Sequence, residues 1–195
     1  MSSSRQSMFS TMLPGRSARR EKGIRNTMPI YIRRMREEDI PQVVEIEKIA
    51  FSRPWSKSVF KAAILLPYMA FYVAVQTGGA AEDRTGKHME KIVGMCGVKK
   101  VFEDGEISNV AVHPACRGRG ISRRMLAVLM REAGDEGVTS FTLEVRAGNA
   151  PAICLYESFG FRTEGIRPRF YEDPVEDGLV MWLRNPADAA GSQFT

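Results

Sequence analysis

Between the strand-like run GEISNVAV (105–112) and an amphipathic pattern that begins at Ile121, the chain places Arg117, Gly118, Arg119, Gly120, Ile121, Ser122 and Arg123. Such a cluster at the start of a helix is suited to holding an anion. The free N–H groups and positive dipole end of a helix N-terminus attract phosphate. Glycines let the backbone turn tightly and approach a ligand, and arginines add charge-assisted hydrogen bonds. A dinucleotide fingerprint would need glycine at position 123, and a Walker loop would need Gly-Lys before Ser or Thr; neither is present. Taken alone, the cluster also fits a glycine-rich turn with solvated arginines. Two residues with titratable side chains, Glu144 in LEVRA and Tyr156 in CLYESFGF, have ordinary structural readings when taken alone. Glu144 alternates with Leu143 and Val145 and so points away from their apolar face, as an ordinary solvent-facing carboxylate beside Arg146 also would. Tyr156 equally reads as a core aromatic beside Leu155, its hydroxyl satisfied locally.

These residues need a scaffold, and hydrophobic periodicity outlines one. IYIRRM (30–35) alternates as a strand. EEDIPQVVEIEKIAF carries Ile40, Val43, Val44, Ile46 and Ala50 at helical spacing, with Asp39 as N-cap and Pro41 in the first turn. SRPWSKSVFKAAILL predicts a bend at Pro54 and a short helix capped by Ser56. Strands follow over 70–76 and 91–101, joined by a polar hairpin loop that contains His88. The helix after the glycine cluster carries Ile121, Met125, Leu126, Val128 and Leu129 on one face and is expected to end at Gly134 and Gly137. TSFTLEVRA reads as a strand, NAPAICLYESF as a helix that Asn149 caps, and GFRTEGIRPRF and DGLVMWL as two final strands. Strands with interspersed helices predict an α/β (α+β) fold with a mixed sheet.

Composition bounds the rest. A chain of 195 residues with 44% hydrophobic and 26% charged content is one domain's worth of core. The net charge of +5 suggests a polyanion partner until it is located: six of the 28 basic residues and one of the 23 acidic ones fall in residues 1–28, leaving 22 of each elsewhere. Residues 1–28 are accordingly expected to be a disordered basic tail, or an extension ahead of Met28 as the natural start, with a faint compositional likeness to a transit peptide. Weak RNA or ribosome contact through that tail is one expectation; DNA and membrane partners are not expected, the apolar runs being far short of a bilayer span. Cys96, Cys116 and Cys154 are widely spaced and, with His88 and His113, form no ligand set, so no metal is expected, and Cys116 and Cys154 are assigned structural roles.

The segment Arg117-Gly118-Arg119-Gly120-Ile121-Ser122 resembles the R/Q-x-x-G-x-G/A pyrophosphate loop of the GNAT superfamily of N-acetyltransferases, and NAPAICLYESFGF (149–161) resembles its N-x-x-A-x-x-L-Y-x-x-x-G-F signature. ISNVAVHP, LEVRAGNAPAICLYESFGF, IEKIAFSRPWS and EDGLVMWL are similar, more narrowly, to the RimI-type ribosomal-protein alanine N-acetyltransferases. Together they span most of residues 30–184. The resemblance implies a GNAT fold over residues 29–185, with a mostly antiparallel sheet flanked by about four helices and a C-terminal tail at 186–195.

It further implies a cytoplasmic enzyme that moves acetyl from acetyl-CoA directly to the N-terminal alanine, or another small first residue, of a ribosomal protein or similar chain. Backbone groups of Val110, Ala111 and Val112 would pair with the pantetheine amides, Gly118 to Arg123 would hold the diphosphate, and Asn149 would contact the CoA arm while capping its helix. Glu144 would serve as base and Tyr156 as acid, with Glu106 ranked second as base. Phe51, Pro54 and Trp55 would line the peptide entrance, unless Trp55 simply packs its bend. Two departures stand out: Ser122 replaces the usual Gly or Ala, and YEDPVEDG (171–178) is acidic where the family shapes its peptide groove. An enzyme for a small-molecule amine or lysine, and a non-catalytic acyl-CoA-binding module, are the alternatives.

Overall fold

The computed structural model describes residues 28–77 and 90–184. The expected tails, apart from Met28, and the loop interior with His88 lie outside the described residues. Seven strands form one sheet in the order β1-β2-β3-β4-β5-β7-β6. They are β1 (Ile30–Arg34), β2 (Met69–Gln76), β3 (Lys91–Val101), β4 (Asp104–Val112), β5 (Ser140–Arg146), β6 (Arg162–Glu172) and β7 (Val175–Arg184). Every pairing is antiparallel except β4 with β5. With four α-helices this is the mixed, mostly antiparallel α/β architecture expected from the sequence.

Strand alternation sorts the core into two layers. Tyr72, Val93, Cys96, Ile107, Phe141, Leu143 and Val145 face one side, where α3 (Ile121–Asp135) and α4 (Ala150–Glu157) supply Ile121, Met125, Leu126, Leu129 and Tyr156. Phe71, Val73, Val75, Met95 and Ala111 face the other, against α1 (Ile40–Ala50) and α2 (Lys57–Ala63). Each large side chain buried in this way contributes about 1.5–3 kcal/mol. Among the described residues no helix is long and apolar enough to cross a membrane.

Local signals behave mostly as read. Ser56 caps α2 by accepting from Val59 N–H at 3.4 Å, and Asn149 caps α4 by accepting from Ala152 N–H at 3.3 Å. Asp39 precedes α1 without capping it. Its buried carboxylate instead pairs with Arg33 at 2.6 Å and accepts from Arg36 N–H at 2.7 Å, so a stronger charged partner takes the cap's place. Gly134 lies inside α3, and only Gly137, at φ +94°, marks the chain leaving it. Val128 on the same helix is only partly buried.

Candidate active site

The site begins with a fault in the sheet. β4 and β5 pair from Asp104–Ser140 to Ile107–Leu143 and no further, although β5 continues to Arg146 beside β7. On its other edge β4 pairs Ser108 with Gly97 and Ala111 with Met95, so Asn109 and Val110 together oppose Cys96 alone. That two-against-one count is a β-bulge, which bends the bulged strand and increases its twist. Asn109 takes φ +50° there. The strands therefore part beyond Ile107, and the β5-facing edge of Val110, Ala111 and Val112 has no strand partner among the described residues. The family resemblance implied a ligand-pairing edge at these three residues, and the split leaves an edge open there.

Beyond that edge the chain turns into α3. Gly118 and Gly120 adopt φ +72° and +68°, which L side chains rarely take, and a Cβ on either would meet nothing within 4 Å. Turn geometry and open space in front of the helix thus coincide at both glycines. Ile121 is buried, so its contribution there is backbone only. The arginines are already engaged. Arg117 Nε donates to the Val112 carbonyl at 3.3 Å, Arg119 donates to the Met28 carbonyl at 3.1 Å, and Arg123 donates to Ser158 Oγ at 2.6 Å while covering the Phe159 ring. Arg123 thereby ties the start of α3 to the end of α4.

The two proton-moving candidates approach the split from opposite faces. Tyr156 is buried on the α3 and α4 side, its ring 5.9 Å from Phe161. Burial pushes its phenol well above the ordinary range, and the nearby Cys96 and Tyr171 add to that. Glu144 points to the α1 and α2 side, part-exposed, and pairs with Arg167 of β6 at 2.6 Å across β7 rather than with Arg146. Glu106 projects to the same side as Glu144 but lies before the split, opposite Thr142, and pairs with Lys99 at 3.5 Å. Glu144 is the carboxylate that stands where the strands have opened. Of the thiols, Cys96 and Cys116 are buried and Cys154 is exposed on α4.

On the Glu144 side an open cleft of about 380 Å³ runs between the α1–α2 connection and the β6–β7 hairpin, lined by Phe51, Ser52, Arg53, Arg146, Phe170 and Tyr171 among others. Arg146 organises it. Its guanidinium donates to the carbonyls of Asp173 at 2.7 Å and Pro174 at 3.0 Å, pairs with Glu176 at 3.2 Å, and covers the Tyr171 ring at 4.3 Å. Burial raises the Tyr171 phenol, and Glu144 adds to the rise. Arg53 and Glu172 bridge the two banks. Trp55 packs against Phe60 at 5.4 Å and Phe71 at 6.1 Å, filling the bend, while Phe51 reaches the cleft.

Arg146 was legible only as a neighbour of Glu144; its position two residues on, on the same strand face, was the available signal. Glu47 was not singled out. It falls four residues after Val43 on the apolar stripe of α1, fully buried, and accepts a hydrogen bond from Asn109.

The comparisons with known proteins bear on the family and the fold. A family model described as "Acetyltransferase (GNAT) family" matches residues 40–161. The [ribosomal protein bS18]-alanine N-acetyltransferase of Escherichia coli (strain K12) is 33% identical over 147 residues, 74% of this chain and 90% of that one. The N-alpha-acetyltransferase RimI of Mycobacterium tuberculosis is 31% identical over 162 residues, covering 80% and 93%. The crystal structure of the ribosomal-protein-S18-alanine N-acetyltransferase from Escherichia coli superposes with a TM-score of 0.69 at 30% identity, covering 80% of this chain and 94% of that chain.

Proposed function

The chain belongs to the GNAT acetyltransferase family and is an N-acetyltransferase, and on that premise we propose that it acetylates the N-terminal alanine of a ribosomal protein or similar chain. The observation that carries this reading is the parted β4–β5 edge, with Tyr156 on one face and Glu144 on the other, above a cleft open enough for a chain end. Names borne by relatives at 31–33% identity supply the acceptor class. Acetyl-CoA, the family's donor, brings an acetyl thioester. The open edge of Val110 to Val112 and the glycine turn at 118 and 120 fit it, since the edge has no strand partner among the described residues beyond Ile107, both glycines face open space, and Arg117 on the Val112 carbonyl lies between them. Asn149 caps α4 beside that path.

Protons are the protein's contribution to the chemistry. An α-amino group with a pKa of about 8 is mostly charged at neutrality and must lose a proton before its nitrogen can attack. Glu144 takes that proton, directly or through a water, while Arg167 fixes its orientation. The nitrogen bonds to the acetyl carbon as the carbon–sulfur bond breaks, Tyr156 delivers its phenolic proton to the departing sulfur, and the second proton that the nitrogen sheds as the amide forms passes through water to restore the phenol. Burial keeps the phenol protonated beforehand, so a proton is at hand when the carbon–sulfur bond breaks. Neither residue bonds to the acetyl group, so both substrates are bound together.

A peptide panel tests the acceptor. Wild-type protein with acetyl-CoA is offered peptides that start with Ala, Ser, Met or Lys, each with an internal lysine, and the products are sequenced by mass spectrometry. Acetyl on the α-nitrogen of Ala-start peptides is the expected product. Acetyl on internal lysines, or turnover of small amines only, would replace the reading with one of the alternatives.

A further inference from the structure

Glu47 sits in the last turns of α1, 0% exposed, with no task in the chemistry above. Its Oε1 accepts from Asn109 Nδ2, and its Oε2 has no hydrogen-bond partner among the described residues. Burying a carboxyl in this way opposes folding. Burial pushes its pKa up to about 7, with the Asn109 bond pulling weakly the other way. Asn109 carries a second cost, a left-handed φ of +50° that most side chains avoid and Asn tolerates better than most. Two unfavourable features bonded to each other are not what packing alone would select. They meet at one place: the bulge where β4 leaves β3's register and, two residues past its last pair with β5, opens the split.

We propose that Glu47 is a positioning residue for acetyl transfer: by holding the Asn109 side chain it fixes the β4 bulge, and the bulge aims the free backbone groups of Val110 into the split, toward the acetyl thioester. The role rests on the reading of the split as the acetyl-CoA site. Glu47 itself touches neither substrate, being closed off by α1 and β4. What it controls is the direction of the strand edge.

The test is calorimetric titration of acetyl-CoA and of CoA into wild type, Glu47→Ala, Glu47→Gln and Asn109→Gly. The last keeps a backbone free to hold φ +50° while removing the side-chain bond, so it carries the test if Glu47→Ala does not fold. Wild type should bind acetyl-CoA more tightly than CoA. Asn109→Gly and Glu47→Ala should weaken acetyl-CoA about tenfold, the scale of one hydrogen bond, and change CoA less than about twofold. Glu47→Gln, which keeps an acceptor for Asn109, should retain most of the difference. With an accepted peptide, kcat should fall and the peptide KM should not. Equal weakening of both ligands would reduce the pair to a structural role, and unchanged affinity in folded variants would remove it altogether. Failure of wild type to bind either ligand would instead overturn the acetyl-CoA reading, and this role with it.

Discussion

At the scale of single residues, the most informative positions are those where chemistry and stability pull apart. Glu47 is one, and its raised pKa has a sign. At pH values below about 4 its carboxyl is protonated in both folded and unfolded chains and costs nothing extra. Between about 4.5 and about 7 the unfolded chain ionises while the folded one stays protonated, so stability falls as pH rises, and above about 7 the fold carries the full penalty, on the order of 3 kcal/mol. Glu47→Gln removes that titration. Thermal melts of the two proteins should therefore draw apart in favour of Gln as pH goes from 5 to 8; a gap independent of pH would contradict the assignment. Strand alternation and the signature helix gave Glu144 and Tyr156 their places in the fold, while their proposed roles as proton carriers came only with the family resemblance. They did not reveal Glu47, since one carboxylate on an apolar helix stripe is visible only once β4 is packed against it, nor the conformation of Asn109, which no spacing encodes.

At the scale of elements, the turn into α3 shows how far local signals reach. The glycines at 118 and 120 were legible because a tight strand-to-helix turn needs positive φ, and both adopt it with open space where a Cβ would stand. Gly134 misled because a glycine near a helix end resembles a terminator, whereas the chain leaves the helix only where φ turns positive at Gly137. Gly120→Ala should lower stability by only about 1 kcal/mol, since its Cβ meets nothing, yet weaken acetyl-CoA at least about tenfold by standing where the diphosphate approaches. Melting and titration of that one variant separate the two effects, and unchanged affinity would move the diphosphate elsewhere. The split between β4 and β5 was not legible, because it depends on pairing between segments more than 30 residues apart and on a bulge of one residue.

At the scale of the whole molecule, the sheet divides the work. One face, under α3 and α4, offers the glycine turn and Tyr156; the other, under α1 and α2, offers Glu144 and the cleft. The order β5-β7-β6 carries the 173–174 hairpin turn over to the cleft, where Arg146 gathers Asp173, Pro174, Glu176 and Tyr171. The acidic run at 171–178, a departure from the family's pattern, is thus partly spent within the protein: Glu172 on Arg53 and Glu176 on Arg146. Arg146→Lys keeps the charge and loses the planar fork. Steady-state kinetics should show a peptide KM raised about tenfold or more with a smaller change in kcat; an unchanged KM would mean the hairpin does not shape the acceptor cleft.

The account stands most directly on the two proton carriers. The decisive measurement is CoA release from acetyl-CoA with an Ala-start peptide for wild type, Glu144→Gln and Tyr156→Phe, at saturating concentrations of both substrates. Losses of about 10²- to 10⁴-fold in kcat for each variant, with acetyl-CoA affinity retained, are predicted. Full turnover by Glu144→Gln would contradict the account and pass the proton to Glu106 or to water alone.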